Sequence, residues 1–306
     1  MYQRFALMTV FFTLFCSIVS TAQEVEKARF HHVHLNVTDP AKSIEFYRTI
    51  LSAEPIKFRG RSDALYMGRA FILMNKVAKA PPAWPTTPIW HIGWGGVDMP
   101  SEFKWLQSKN VDIIVPLYPL GRGFVTYIRD PDEAWIEVNT QGHHRFSHVH
   151  LFATDVNDMG KWFGDNLGMK PRRTAENNPR PVGPNGKFKT WNEFHAAGNR
   201  SWSNGVSTDE VNIGIYPIPN YETPPWWPFD KVMKLEPQKD HAIDHIAFSY
   251  RDIEPVFERM KKAGLTIAEP IAEREEFGIK SFFVLGPDGL LIEIVEAKPV
   301  PEGIWD

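Results

Sequence analysis

Apolar and polar positions alternate through residues 30–38, FHHVHLNVT, and the β-branched content of that run predicts a strand. Asp39 followed by Pro40 marks a helix start, with the aspartate as cap and the proline in the first turn. Ile44, Tyr47, Ile50 and Leu51 then recur at helical spacing, and short strands are expected near residues 54–58, 64–68 and 70–76. The succession of strand, helix and strands begins again at Ile89, with a helix over about 100–109 and strands near Ile113, 123–128 and 134–139. It begins a third time at Phe146, where Met159, Trp162, Phe163 and Leu167 give the helix its apolar stripe and Gly168 a stop. Strands are expected there at 187–195 and 211–216. A fourth start falls at Ile243, with a helix over about 253–263 and strands at 279–285 and 290–295 around the turn Pro287-Asp288-Gly289.

The third start repeats the first. Residues 146–155 read FSHVHLFATD and residues 30–39 read FHHVHLNVTD, so the chain is built from copies of a unit. Proline-rich bridges, APPAWPTTP at 80–88 and PPWWP at 224–228, separate units within each half. Four βαββ(β) units result, expected to pair one with two (residues 30–140) and three with four (residues 146–297). The surplus length of the second half falls in polar loops at 174–186 and 217–240.

A length of 306 residues with 43% hydrophobic content supports two domains with real cores. Net charge is −3, with no basic tail, so nucleic acid is not expected as a partner. Residues 1–22 combine a positive start, an apolar run over 5–20 and a small-residue exit at Ser20-Thr21-Ala22. They predict a signal peptide and a secreted or periplasmic protein, without stable membrane association once the signal is cleaved. The single cysteine, Cys16, lies inside that signal, so the mature chain uses neither disulfides nor a catalytic thiol.

Chemistry enters through side-chain direction. Residues two apart on a strand share a face, so His32 and His34 point together, as do His148 and His150. Units two and four each put one histidine in their opening strand, His91 in IWHIGW and His245 in IDHIAF. Each ends in a strand holding a carboxylate among apolar neighbours, Glu137 in AWIEVN and Glu293 in LLIEIV. Burying such a carboxylate is costly unless it is paired, protonated or bound to a cation. Two imidazoles and one carboxylate form a facial triad with open metal positions. The expected sets are His148, His245 and Glu293 in the second half, and His32, His91 and Glu137 in the first.

The motif H-V-x-L-x-V-x-D, the aliphatic-aromatic helix and the closing P-D-G-x-x-I-E strand resemble the vicinal oxygen chelate (VOC) superfamily. That superfamily includes glyoxalase I, extradiol dioxygenases, fosfomycin-resistance enzymes and bleomycin-binding proteins. The resemblance spans about residues 30–297 and implies an α+β fold of four βαβββ modules paired into two cup-shaped domains. It puts metal ligands at the same six residues, and a small-molecule substrate held through neighbouring oxygens. Fe(II) or Mn(II) suits the donor set first, with Zn(II) or Ni(II) as alternatives. His150 is the candidate acid-base residue. The extradiol layout fits better than the glyoxalase I layout, because the strands FILMN (71–75) and VNIGIY (211–216) lack the second carboxylate of glyoxalase I-like sites. The extradiol pattern also departs: Phe283 stands where a tyrosine is usual, and no acid-base histidine appears around Arg274. His195, His150 or Tyr216 are the candidate substitutes. Trp84, Trp90, Trp94, Trp191, Trp202, Trp226 and Trp227 are candidates for a substrate wall, and Arg122 for an anion contact. An extradiol-dioxygenase-like enzyme is therefore expected, with a glyoxalase-like lyase or isomerase and a non-catalytic binding protein as alternatives. Association into a homo-oligomer is left open.

Overall fold

The computed structural model describes residues 25–82, 86–180, 202–209, 211–218 and 235–300. The signal segment, Trp84, Trp191, His195, Trp226, Trp227 and the strand expected at 187–195 lie outside those residues.

Unit one is β1 (Arg29–Val37), α1 (Pro40–Leu51), β2 (Glu54–Phe58), β3 (Ser62–Tyr66) and β4 (Phe71–Lys76). Asp39 caps α1 by accepting from the amides of Ala41 and Lys42, and Tyr47 and Leu51 bury its apolar stripe. Unit two is β5 (Ile89–Gly96), α2 (Met99–Ser108), β6 (Ile113–Leu120), β7 (Gly123–Arg129) and β8 (Trp135–Thr140). Unit three contributes β9 (Phe146–Ala153), α3 (Val156–Leu167), β10 (Asn204–Thr208) and β11 (Val211–Pro217). Unit four is β12 (Ile243–Tyr250), α4 (Glu254–Lys262), β13 (Ile267–Arg274), β14 (Ile279–Leu285) and β15 (Leu291–Glu296). Two strands differ from the sequence expectation. β13 is half-exposed along its length and shows no apolar alternation, and β10 has one apolar residue, Val206, among Asn204, Gly205, Ser207 and Thr208.

The strands form two mixed sheets, ordered β13-β14-β15-β12-β1-β4-β3-β2 and β10-β11-β9-β5-β8-β7-β6. The α+β fold class of paired βαβββ modules holds, but the partners differ from those expected. Unit one joins unit four through antiparallel β1 and β12, and unit two joins unit three through antiparallel β5 and β9. Proximity in sequence suggested the pairing one-two and three-four. Each opening strand instead offers its free edge to the other half of the chain.

One core serves both sheets. Phe30 of β1 packs on Phe146 of β9 at 5.6 Å and on Phe248 of β12 at 5.5 Å between ring centroids. Val33, Leu35, Val149 and Leu151 lie in that core, so the histidines alternating with them leave through the opposite face of each sheet. Trp94, a candidate wall residue, is fully buried in the core and donates its indole N–H to the Leu51 carbonyl. Trp202 is buried too, donating to the carbonyl of Asn178.

Two clasps tie the sheets together at their ends. The Thr38 amide and hydroxyl both donate to Asp132, at 3.1 and 2.7 Å. Thr154 does the same to Asp288, at 2.8 and 2.6 Å. The threonine-aspartate exits that first exposed the repeat therefore hold each odd unit to a turn of the other sheet. Among the described residues, no helix is long and apolar enough to cross a membrane.

Candidate metal centres

Four β-bulges shape the two centres. His31 is the extra residue in β1, Asp244 in β12, Trp90 in β5 and Ser147 in β9, as the register shifts show. Each immediately precedes a candidate ligand, His32, His245, His91 or His148. A bulge adds twist and re-aims its neighbours, which lets the bulged side chain reach the ligand's outer ring nitrogen. His31 Nδ1 lies 2.7 Å from His32 Nδ1, Asp244 Oδ1 2.6 Å from His245 Nδ1, and Ser147 Oγ 2.8 Å from His148 Nδ1. Such partners fix the tautomer and leave Nε2 facing inward. Trp90 has no group for that role and packs edge-on against His91, at 4.3 Å.

The first centre is His32, His245 and Glu293. Glu293 Oε2 lies 3.0 Å from His32 Nε2 and 3.2 Å from His245 Nε2. His34 stacks on His245 at 4.6 Å, with its Nε2 buried and unpartnered. Burial lowers His34 to about 3, helped by the nearby His245 charge. Burial alone would lower His245 as well, but its hydrogen bonds to Asp244 and Glu293 raise it to about 9. Burial pushes the Glu293 carboxyl up, and hydrogen bonds to His245 and His32 outweigh it, holding the group well below the usual carboxylate range. The centre opens on a cavity of about 340 Å³ whose lining includes His34, His245, Arg274, Phe277, Phe283 and Glu293.

The second centre is His91, Glu137, His148 and His150, whose ligand atoms all lie within 4.8 Å of one another. Glu137 is 3.2 Å from His91 Nε2, 3.5 Å from His148 Nε2 and 3.8 Å from His150 Nδ1. Those three ring nitrogens are buried without hydrogen-bond partners. Burial raises the Glu137 carboxyl, while His148 and then His91 draw it below its ordinary value. Burial takes His148 down to about 4. The Glu137 carboxylate is itself held: Tyr127 donates to one oxygen at 2.6 Å and Asn139 to the other at 2.6 Å. Trp90, Phe152 and Tyr216 pack nearby, Tyr216 against His150 at 4.8 Å.

All six expected ligands thus lie in two clusters, but the sets are exchanged. His148 sits with His91 and Glu137, and His32 sits with His245 and Glu293. The crossed pairing of the units is the cause. Arg122 is an exposed residue of the β6–β7 turn and belongs to neither cluster. Tyr127 went unread in the sequence. It faces Glu137 across β7 and β8 as Phe283 faces Glu293 across β14 and β15, so the comparison that singled out Phe283, applied to unit two, would have found it. Asp244 and Ser147 were legible only once the bulges were known.

Both clusters suit a divalent cation. Unpartnered buried imidazole nitrogens converge with an ionised carboxylate, a donor set of the kind that binds Fe, Mn or Zn. The family model described as the Glyoxalase/Bleomycin resistance protein/Dioxygenase superfamily matches residues 29–138 and again 145–294. Glyoxalase I from Zea mays superposes with a TM-score of 0.61 at 15% identity, covering 88% of this chain and 92% of that one. A Bacillus subtilis protein provisionally described as a dioxygenase gives a TM-score of 0.58 at 12% identity, covering 89% of this chain and 86% of that one. No curated protein sequence matches the chain.

Proposed function

Because the chain belongs to the glyoxalase/bleomycin resistance protein/dioxygenase superfamily, we propose that it is an exported, metal-dependent enzyme, extradiol-dioxygenase-like in layout, acting on a small substrate held through neighbouring oxygens. One observation carries this reading: Glu293 meets His32 at 3.0 Å and His245 at 3.2 Å, and His245 and Glu293 line a cavity of about 340 Å³. Three donors from one side leave room for two substrate oxygens on the other. A bound divalent metal would supply Lewis-acid stabilisation of charge developing on those oxygens and, as Fe(II), a path for electrons from the substrate, which is oxidised, to O2, which is reduced.

The chain's own groups do the rest. Phe277 and Phe283 give the cavity flat apolar walls suited to a ring, and Arg274 lies against Phe283 at 5.0 Å. His34, neutral near pH 7, offers Nε2 as acceptor for a substrate hydroxyl proton. His150, the acid-base residue expected from sequence, has its ring nitrogen within 4.8 Å of the candidate ligand atoms of His91, Glu137 and His148. β4 and β11 place Leu73 and Gly214 opposite the second histidines, so neither adds a carboxylate there, which favours this reading over a glyoxalase-like lyase or isomerase.

Oxygen uptake by the Fe(II)-loaded protein with a panel of catechols tests the reading directly. Uptake that disappears in His245→Ala supports it. Methylglyoxal–glutathione turnover without oxygen uptake favours the lyase, and metal-independent ligand retention with neither activity favours a binding protein.

A further inference from the structure

The two centres are built differently, and the difference lies beneath the second histidine of each HVHL strand. Gly214 of β11 is the register partner of His150. A Cβ at Gly214 would stand 2.5 Å from His150 Cδ2 and 2.8 Å from its Nε2, so the imidazole occupies the space a side chain would fill. The ring is thereby laid over the neighbouring strand, with Nδ1 turned toward Glu137 at 3.8 Å. His148 is seated likewise: a Cβ at Gly93 would stand 2.0 Å from its Cε1. In the other sheet Leu73 is the register partner of His34. There the mutually close ligand atoms are those of His32, His34 and His245 without Glu293, and His34 lines the cavity.

The carboxylates are supported differently as well. Tyr127 and Asn139 fix both oxygens of Glu137. At the positions corresponding to Tyr127 and Asn139, unit four has Phe283 and Val295, neither of which can donate to Glu293. Outer hydrogen bonds of this kind raise metal affinity, and their loss typically costs tenfold to a hundredfold.

We propose that His91, His148, His150 and Glu137 form a closed, four-donor metal site that binds a divalent cation more tightly than the three-donor centre at His32, His245 and Glu293, with His150 acting as its fourth ligand. A closed donor set is the mark of a metal held for structure, whereas an open one suits turnover. This assignment rests on the metal-dependent reading above and divides its two centres between those tasks.

The test is titration of the chelator-stripped full chain with Co(II) alone, followed by its d–d absorption. The wild type should take up two equivalents in two steps, the first giving the more intense spectrum of a low-coordinate ion. His150→Ala should weaken the first step by at least about tenfold and leave the second in place. Gly214→Ala, which pushes the ring aside without removing it, should act in the same direction, while His34→Ala should leave the first step unchanged. Circular dichroism and melting identify any variant that does not fold, and the remaining two then decide. An unchanged first step in folded His150→Ala or Gly214→Ala, or an equal loss in His34→Ala, overturns the assignment. A wild type that binds no Co(II) overturns the metal-dependent reading itself.

Discussion

Buried carboxyls in this chain follow their partners. Glu137 and Glu293 face imidazoles and stay ionised. Asp130 faces a phenol and two amides: Tyr47 donates to it at 3.0 Å, and the Asp132 and Ala134 amides at 2.9 and 2.8 Å. Burial is the largest influence and raises Asp130 to about 6, against those hydrogen bonds, with the Asp132 carboxylate adding to the rise. A carboxyl whose folded pKa exceeds its unfolded value binds protons better when folded. Its contribution to stability is therefore full below about pH 4 and is lost as pH rises through 6. Asp130→Asn mimics the protonated form: its Oδ1 keeps both amide bonds, and its side-chain amide donates to the Tyr47 hydroxyl oxygen in place of the bond that hydroxyl donates in the wild type. Urea unfolding should show the variant more stable than wild type by about 1–2 kcal/mol at pH 7, with the difference vanishing toward pH 4. A variant less stable at pH 7 would contradict this.

At the scale of elements, helices and central strands were readable because their signals are local. Asp39-Pro40, the stripe ending at Leu51 and the alternation in β1, β5, β9 and β12 all appear in the chain where they were expected. β13 was not readable, since its apolar residues come as adjacent pairs, Ile267-Ala268 and Ile271-Ala272, rather than in alternation. The bulges at His31, Trp90, Ser147 and Asp244 were invisible because a register shift exists only between paired strands. For that reason the six ligands could be named while their grouping could not. The clasps are a testable consequence of the pairing that emerged. Thr38→Val removes the 2.7 Å hydroxyl contact to Asp132, which is buried. Thermal or urea unfolding should show a loss of about 1–2 kcal/mol. Thr154→Val, with Asp288 as its own partner, should add its cost independently. Losses below about 0.3 kcal/mol in both would mean the clasps carry no load.

For the whole molecule, the sequence repeat and the sheets divide the chain differently. The family model matches the two halves in turn, yet each sheet takes one unit from each half. A protein of residues 25–140 alone would leave β1 and β5 each with an unpaired edge, and its half of the common core uncovered. Expressed separately, that half should aggregate or self-associate by sizing chromatography, and it should form a stable 1:1 complex when refolded with residues 145–300. A stable folded monomer would contradict the crossed arrangement.

Because each glutamate serves one sheet's centre, the metal content of the purified chain, measured by elemental analysis, tests both centres at once. Glu293→Ala removes the carboxylate shared by His32 and His245, and Glu137→Ala the one shared by His91 and His148. The wild type should hold up to two equivalents of a divalent transition metal, either variant one fewer, and the chain with both glutamates replaced none. A wild type that binds no such metal, or a doubly substituted chain that binds as much as the wild type, would contradict this.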